Sequence, residues 1–302
     1  MQVNSCHKGS YTKKKFNSFG DHLREYFGEK VYKISIDAGF SCPNRDGTKG
    51  RGGCIYCNEK GSASLGVDRN QSIIKQIEEG KKALFKKYKA RKYLAYFQPF
   101  SNTHGPVNEL KALYYAALEQ EDIVGISIST RPDCAHNEKL DLIENISKKY
   151  YTWLELGLQS SHNKTLQRIN RLSTYEDFLS VYKEAKKRSL RVCVHIILGL
   201  PGETAIDMEE TVRKLIDLKI DGIKFHLLHV IRNTSLEKEF LRGDIRLFER
   251  EEYVSLVSKF VKLLPPEMII HRLSAEGPSK DVIAPLWSLD KRGILAEIER
   301  RL

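Results

Sequence analysis

An α/β fold built as a partial β/α barrel is what this sequence predicts, on three observations. Apolar, β-branched runs alternate with amphipathic helical patterns at intervals of roughly 30 residues, which is how successive βα units on a parallel sheet read. Six such runs precede residue 235, and polar residues gather at their C-terminal ends, where β/α barrels assemble functional sites. No G-x-G-x-x-G follows the first run, which weighs against a dinucleotide-binding sheet. With 302 residues, 41% of them apolar, the chain can bury one large core or two small ones.

The elements follow in order. A basic N-terminal extension (1–30) leads into VYKISIDAG (31–39), the first strand. Further strands are KYLAYFQ (92–98), IVGISIST (123–130), TWLELGLQ (152–159), RVCVHIILG (191–199) and GIKFHLLHV (222–230). Helical patterns lie between them, as in NELKALYYAALEQ (108–120), NEKLDLIENISKKY (137–150), YEDFLSVYKEAKKR (175–188) and MEETVRKLIDLK (208–219). A barrel core over 31–235 is expected, followed by a C-terminal extension (236–302) packing on it. That extension holds one more helical pattern and the apolar run EMIIHRLS (267–274).

No apolar run is long enough to cross a bilayer, and the N-terminus lacks the apolar segment of a secretory signal. The expected location is the cytoplasm, where thiols stay reduced and clustered cysteines bind metal more often than they pair. Lys and Arg outnumber Asp and Glu by 50 to 39, for a net charge of +11. Basic residues concentrate in KKALFKKYKARK (81–92) and KEAKKRSLR (183–191), which suit a polyanionic partner or two solvated helix faces.

The chemistry concentrates in SCPNRDGTKGRGGCIYCNEKGSAS (41–64), where Cys42, Cys54 and Cys57 are spaced C-x11-C-x2-C. A structural zinc site takes four ligands, and no second C-x2-C pair exists. Three thiolates suit an iron–sulfur cluster that keeps one iron open, but spacing alone leaves zinc and iron–sulfur both standing. Cys134 and Cys193 stand apart, and Cys6 lies in the N-terminal extension. Glu155 shares a strand face with Gly157 and Gln159 by the period of two, which makes it an interior acid and a candidate catalytic residue if that face turns inward.

The region from about Val31 to Val230 resembles the radical S-adenosylmethionine (SAM) superfamily. Besides the cysteine loop, SISTRPD (127–133), ELGLQS (155–160), TLQRINR (165–171), HIILGLPGE (195–203) and IIHRLSAEGP (269–278) carry the likeness. The long cysteine spacing is similar to that of the Elongator catalytic subunit and the YhcC/YtqA-like group. The resemblance implies a partial (β/α)6 TIM-like barrel. It also implies a [4Fe-4S] cluster on Cys42, Cys54 and Cys57, with SAM on the open iron as the source of a 5′-deoxyadenosyl radical. SAM contacts carried over from coproporphyrinogen-oxidase-like relatives fall on Gln159, Arg171 and His195, the last standing where those relatives have an acid. By position, Gln98 would meet the SAM amine, Ser129 the ribose, and Leu228 the adenine, while Tyr56 would cover the cluster or contact a bound cofactor. The implied partners are a tRNA substrate, modified at the wobble uridine, and an electron donor such as flavodoxin or ferredoxin.

Each of these residues also has a plainer reading: Arg171 as a solvated charge, His195 as a hydrogen-bonded barrel residue, the GLPG segment as a turn. Two other functions compete with tRNA modification. One is radical chemistry on a small molecule or peptide; the other is a zinc-stabilised RNA-binding protein, against which the missing fourth ligand argues.

Overall fold

β-Branched and aromatic residues at alternate positions send one side chain out to the helices and the next inward. A computed structural model, describing residues 14–61, 67–275 and 280–302, shows the result. The strands are β1 Val31–Ile36, β2 Lys92–Phe97, β3 Ile123–Thr130, β4 Tyr151–Gln159, β5 Val192–Leu198, β6 Gly222–Leu227, β7 Val230–Ile231, β8 Ile269–Arg272 and β9 Val282–Ala284. The helices are α1 Phe19–Phe27, α2 Ile73–Tyr88, α3 Val107–Leu118, α4 Asn137–Ser147, α5 Asn163–Arg168, α6 Tyr175–Lys187, α7 Ala205–Asp217, α8 Ser235–Leu241, α9 Arg250–Leu263 and α10 Lys291–Arg301.

Seven strands form one sheet in the order β1-β2-β3-β4-β5-β6-β8, every neighbouring pair parallel. The sheet curls into a half-barrel, with β1 and β8 as its edges. The count exceeds the six expected, because EMIIHRLS supplies β8 from beyond residue 235. Outward side chains such as Leu154, Leu156 and Leu158 pack with the helices in the main core. Helices α6 and α7 start at capping boxes, Thr174 with Asp177 and Thr204 with Asp207, which satisfy backbone N–H groups left over at a helix start. The GLPG segment makes the turn from β5 into α7.

Helix α1 closes the lower end of the half-barrel. Phe19 stacks on His271 at 3.9 Å between ring centres and meets Trp153 edge-on at 5.8 Å. With Leu23, Val31, Leu94, Tyr151, Cys193 and Ile269, Phe19 and Trp153 form a second apolar cluster inside the sheet. The chain just before the helix lies along β8, where Asn17 accepts a hydrogen bond from the Ile270 backbone at 2.8 Å. The segment read as a basic extension thus delivers the plug of the barrel floor. Cys6 lies outside the described residues. Among those described, no helix is long and apolar enough to cross a membrane.

Truncating Phe19 opens a cavity under both Trp153 and His271. Phe19→Ala is expected to lower folding stability by about 3–5 kcal/mol in a urea titration. A loss under about 1 kcal/mol would show that α1 rests on the barrel without plugging it.

Candidate functional site

The cysteine loop leaves β1 at the C-terminal mouth of the parallel strands and is folded by its own backbone. The Cys42 carbonyl accepts from the N–H groups of Arg45 (2.7 Å) and Asp46 (3.1 Å), and the Cys57 N–H donates to Cys54 at 2.9 Å. Gly53 sits at φ +81° beside the Arg45 side chain, a backbone conformation in which any larger residue would be strained. Arg45 then reaches the Cys57 carbonyl.

A second segment backs the loop. The carbonyl of Ile169 accepts from the Ile55 N–H at 3.1 Å, Asn170 donates to the Gly53 carbonyl at 2.8 Å, and Asn44 donates to the Asn170 carbonyl at 2.5 Å. TLQRINR is therefore the seat of the cysteine loop, a role its residues do not announce in the sequence. Arg171, 7% exposed, donates to the Gly157 carbonyl at 2.5 Å and lies 3.9 Å from the Cys54 sulfur. A Cβ on Gly157 would come within 3.1 Å of that guanidinium and 2.8 Å of the Gln159 amide, so the glycine makes room for both. The Arg171 carbonyl is in turn held by Arg131, which is buried and doubly bonded to Asp133 at 2.8 and 2.9 Å.

These parts enclose a cavity of about 160 Å³. Cys42, Cys54 and Cys57 line it, and so do six other residues singled out by sequence: Tyr56, Gln98, Ser129, Gln159, Arg171 and His195. Gln159 ends β4 at φ +80°, a conformation few side chains adopt, and this turns its amide into the cavity rim. Two predicted residues lie elsewhere. Leu228, expected within the sixth strand, falls one residue past β6 and packs with Ile197, Leu200 and Leu236; the cavity's apolar wall is Ile197. Glu155 is wholly buried and absent from the lining.

Glu155 is the centre of a polar layer beneath the cavity. One oxygen accepts from Lys33 and Ser127, each at 2.5 Å, and the other from His195 (2.7 Å) and Lys224 (2.8 Å). Lys224 also donates to the Tyr96 hydroxyl at 2.6 Å, and His271 lies 3.8 Å from the carboxylate. Burial alone would raise the acid's pKa; Lys224, Lys33 and the histidine contacts more than offset it and hold the group well below the usual range. Burial pushes His195 down to about 4, aided by Lys224 and opposed by Glu155, so its ring is neutral at physiological pH. Lys33 and Lys224 went unremarked in the sequence, although a lysine at an inward position of an apolar strand is the signal for them.

The three thiols share one environment. Burial raises the Cys57 pKa, Arg45 opposes that rise, and the neighbouring Cys54 and Cys42 add to it, so the three groups share one field. Yet among the described residues their sulfurs do not form a group with all ligand atoms within 4.8 Å of one another. A tetrahedral zinc ion, with Zn–S about 2.3 Å, would hold its sulfurs about 3.8 Å apart. The lining holds no fourth thiolate among the described residues, while the imidazoles of His195 and His226 share it. The trio that does meet the single-ion spacing is Glu155, Cys193 and His271, where the ammonium groups of Lys33 and Lys224 already occupy the carboxylate.

Comparison with known proteins decides the family. Residues 46–215 match the Radical SAM superfamily and residues 220–302 the Radical_SAM C-terminal domain. The chain belongs to the radical SAM superfamily. It is 40% identical to YtqA of Bacillus subtilis over 302 residues, covering all of this chain and 94% of that one. It is 28% identical over 165 residues to the tRNA uridine(34) acetyltransferase of Methanocaldococcus infernus, covering 53% of this chain and 30% of that one. The solved structure of M. infernus Elp3 with an N-terminal deletion superposes with a TM-score of 0.66 at 17% identity, covering 90% and 63% of the two chains, and shares the fold. This is accordingly a radical SAM enzyme, and the cofactors of its family are a [4Fe-4S] cluster and SAM.

The polar layer yields a test. Glu155→Ala leaves Lys33 and Lys224 without their counter-charge and is expected to cost about 3–5 kcal/mol of stability. The sign with pH follows from the depressed pKa. The carboxylate's contribution is complete above its unfolded value and is lost as pH falls through the lower folded one. Glu155→Gln should flatten that part of the acid limb in pH-dependent unfolding; an unchanged limb would show that this carboxylate does not tie the strands.

Proposed function

We propose that this radical SAM enzyme binds its [4Fe-4S] cluster through Cys42, Cys54 and Cys57 and acts on tRNA, at a uridine of the wobble position. The observation that carries the cluster assignment is the convergence of three thiols from one loop on a cavity at the strand mouth, backed by Arg45 and Arg171. When bound, the cluster and SAM supply one-electron sulfonium cleavage and a 5′-deoxyadenosyl radical for hydrogen abstraction.

The chain's own residues position the reactants. Gln98, Ser129 and Gln159 offer polar groups along the rim, Tyr56 an aromatic wall beside Cys57, and His195 a neutral imidazole fixed by Glu155. Arg171 holds the strand end and the sulfur side together. An external one-electron donor of the flavodoxin or ferredoxin class supplies the reductant.

Support for tRNA comes from the net charge of +11 and from the relative named a tRNA uridine(34) acetyltransferase. The shared segment covers 30% of that protein, so acetyl transfer is not carried over. A tRNA preparation from a strain lacking the gene should lose one modified uridine by mass spectrometry. A full nucleoside complement would turn the assignment to a small-molecule or peptide substrate.

Replacing any of Cys42, Cys54 or Cys57 with Ala should abolish the EPR signal of the reduced cluster and SAM cleavage, while Cys134→Ala retains both. Zinc without iron after anaerobic reconstitution would end the cluster assignment. Arg171→Ala removes a buried charged hydrogen-bond donor and should weaken SAM about ten- to a hundredfold by calorimetry, with iron content retained. Unchanged affinity would reduce Arg171 to a seat for the loop.

A further inference from the structure

The half-barrel has an open seam between β1 and β8, bridged low down by α1. A groove of about 500 Å³ runs along it. Its charged lining is Lys14, Arg24, Lys30, Lys291 and Arg272 against one acid, Asp21. Lys14 is paired with Glu299 at 2.6 Å and Arg24 and Lys291 also have partners, whereas Lys30 and Arg272 form no ion pair among the described residues. Arg272 lines both this groove and the cysteine cavity, so the two are joined at one guanidinium.

The groove continues onto α2. Tyr32 lines it and stacks on Tyr88 at 5.1 Å, with ring planes 14° apart. Tyr88 is 47% exposed and Phe85 50%, and Lys87 and Lys89 sit over these rings at 5.0 and 5.1 Å. Exposed aromatics interleaved with lysines offer stacking for bases and charge for phosphates. The other basic helix is different. On α6 and its cap, Lys186 is paired with Asp221 (2.7 Å), Lys187 with Glu184 (2.6 Å), and Arg188 with Asp141 and Glu184 (2.8 and 3.0 Å). Each of those three cations is held by a carboxylate.

Resting on the tRNA function proposed above, we infer that the seam groove and the end of α2 bind a single RNA strand. Its phosphates lie along Arg24, Lys30 and Lys291, a base stacks on the exposed Tyr88 face, and Arg272 holds the phosphate nearest the cysteine cavity. The planar guanidinium suits that last role, because it grips phosphate with two parallel hydrogen bonds. A basic protein partner is disfavoured by the same charge, and a small anion would not need aromatics outside the groove.

The test uses the anaerobically reconstituted full-length enzyme and an unmodified tRNA transcript, with affinity read by fluorescence anisotropy across a salt series. The triple variant Arg24→Gln/Lys30→Gln/Lys291→Gln should bind at least about tenfold more weakly. Its log–log salt slope should be shallower by about 2, since each phosphate contact contributes about 0.7–0.9. Tyr88→Ala should weaken binding about fivefold or more at unchanged slope. Lys187→Gln/Arg188→Gln on the α6 side should stay within about twofold of wild type. SAM cleavage without RNA reports that each variant is folded; if the triple variant loses it, Lys30→Gln alone should still flatten the slope by about 0.7–0.9. Wild-type affinity in the seam variants, or an equal loss in the α6 pair, overturns the groove and leaves the tRNA function standing. No tRNA binding by the wild type at physiological salt overturns both.

Discussion

One buried carboxylate ties this open sheet together. Glu155 of β4 accepts from Lys33 of β1, Ser127 of β3, His195 of β5 and Lys224 of β6. Lys224 reaches Tyr96 of β2, and His271 of β8 approaches from the far edge. Every strand of the sheet thus contributes one inward side chain to a single layer. A closed barrel keeps its curvature by pairing its last strand with its first; here β1 and β8 are unpaired with each other. The polar layer takes over that task. Desolvating such charges costs several kcal/mol each, so the arrangement specifies a curvature more than it adds net stability.

The layer also sets what lies above and below it. Below, Trp153, Phe19 and Cys193 make a dry floor. Above, His195 and Tyr96 are fixed by Glu155 and Lys224 and form part of the cavity lining beneath the cysteines. The sole acid of the layer is tucked out of the cavity, and the neighbouring groups that face it are hydroxyl, imidazole and guanidinium. The lumen carries Lys33, Arg272 and Lys224, the last pushed down by burial to a pKa of about 7, against Glu155, so its potential favours an anionic group at the mouth.

Much of this was legible in the sequence, and the reason is local. Strands, helices and the three-cysteine loop are written in period and spacing, which need only near neighbours. Period two also placed Glu155 inward without revealing its partners. What escaped depends on contacts between remote positions. Arg171 meets Cys54 across 117 residues of chain, Arg131 holds the Arg171 carbonyl across 40, and Lys224 finds Glu155 across 69. Leu228 falls just past its strand for a similar reason: where a strand stops is decided by its neighbour, and β6 ends at Leu227 opposite Leu198. The two basic helices read alike as composition, yet Lys186, Lys187 and Arg188 at the end of α6 are held by carboxylates, whereas Lys87 and Lys89 at the end of α2 lie over aromatic rings.

The arginines behind the cysteine loop solve an electrostatic problem that the loop creates. Burial pushes the Cys57 thiol up, and negative charge on the neighbouring Cys54 and Cys42 would push it further. Arg45 lowers the cost on the Cys57 side. On the Cys54 side, burial would depress Arg171, but Cys54, Tyr56 and Asp133 raise its pKa above the ordinary value, so it stays charged. On the proposed cluster assignment, the fixed Arg171 cation beside the Cys54 sulfur would favour extra negative charge on the cluster and so raise its reduction potential. The same guanidinium is anchored to Gly157, the strand residue two positions from Glu155 on the inward face. Curvature, cysteine placement and cluster electrostatics therefore meet on one strand, and a change in β4 cannot alter one of them alone.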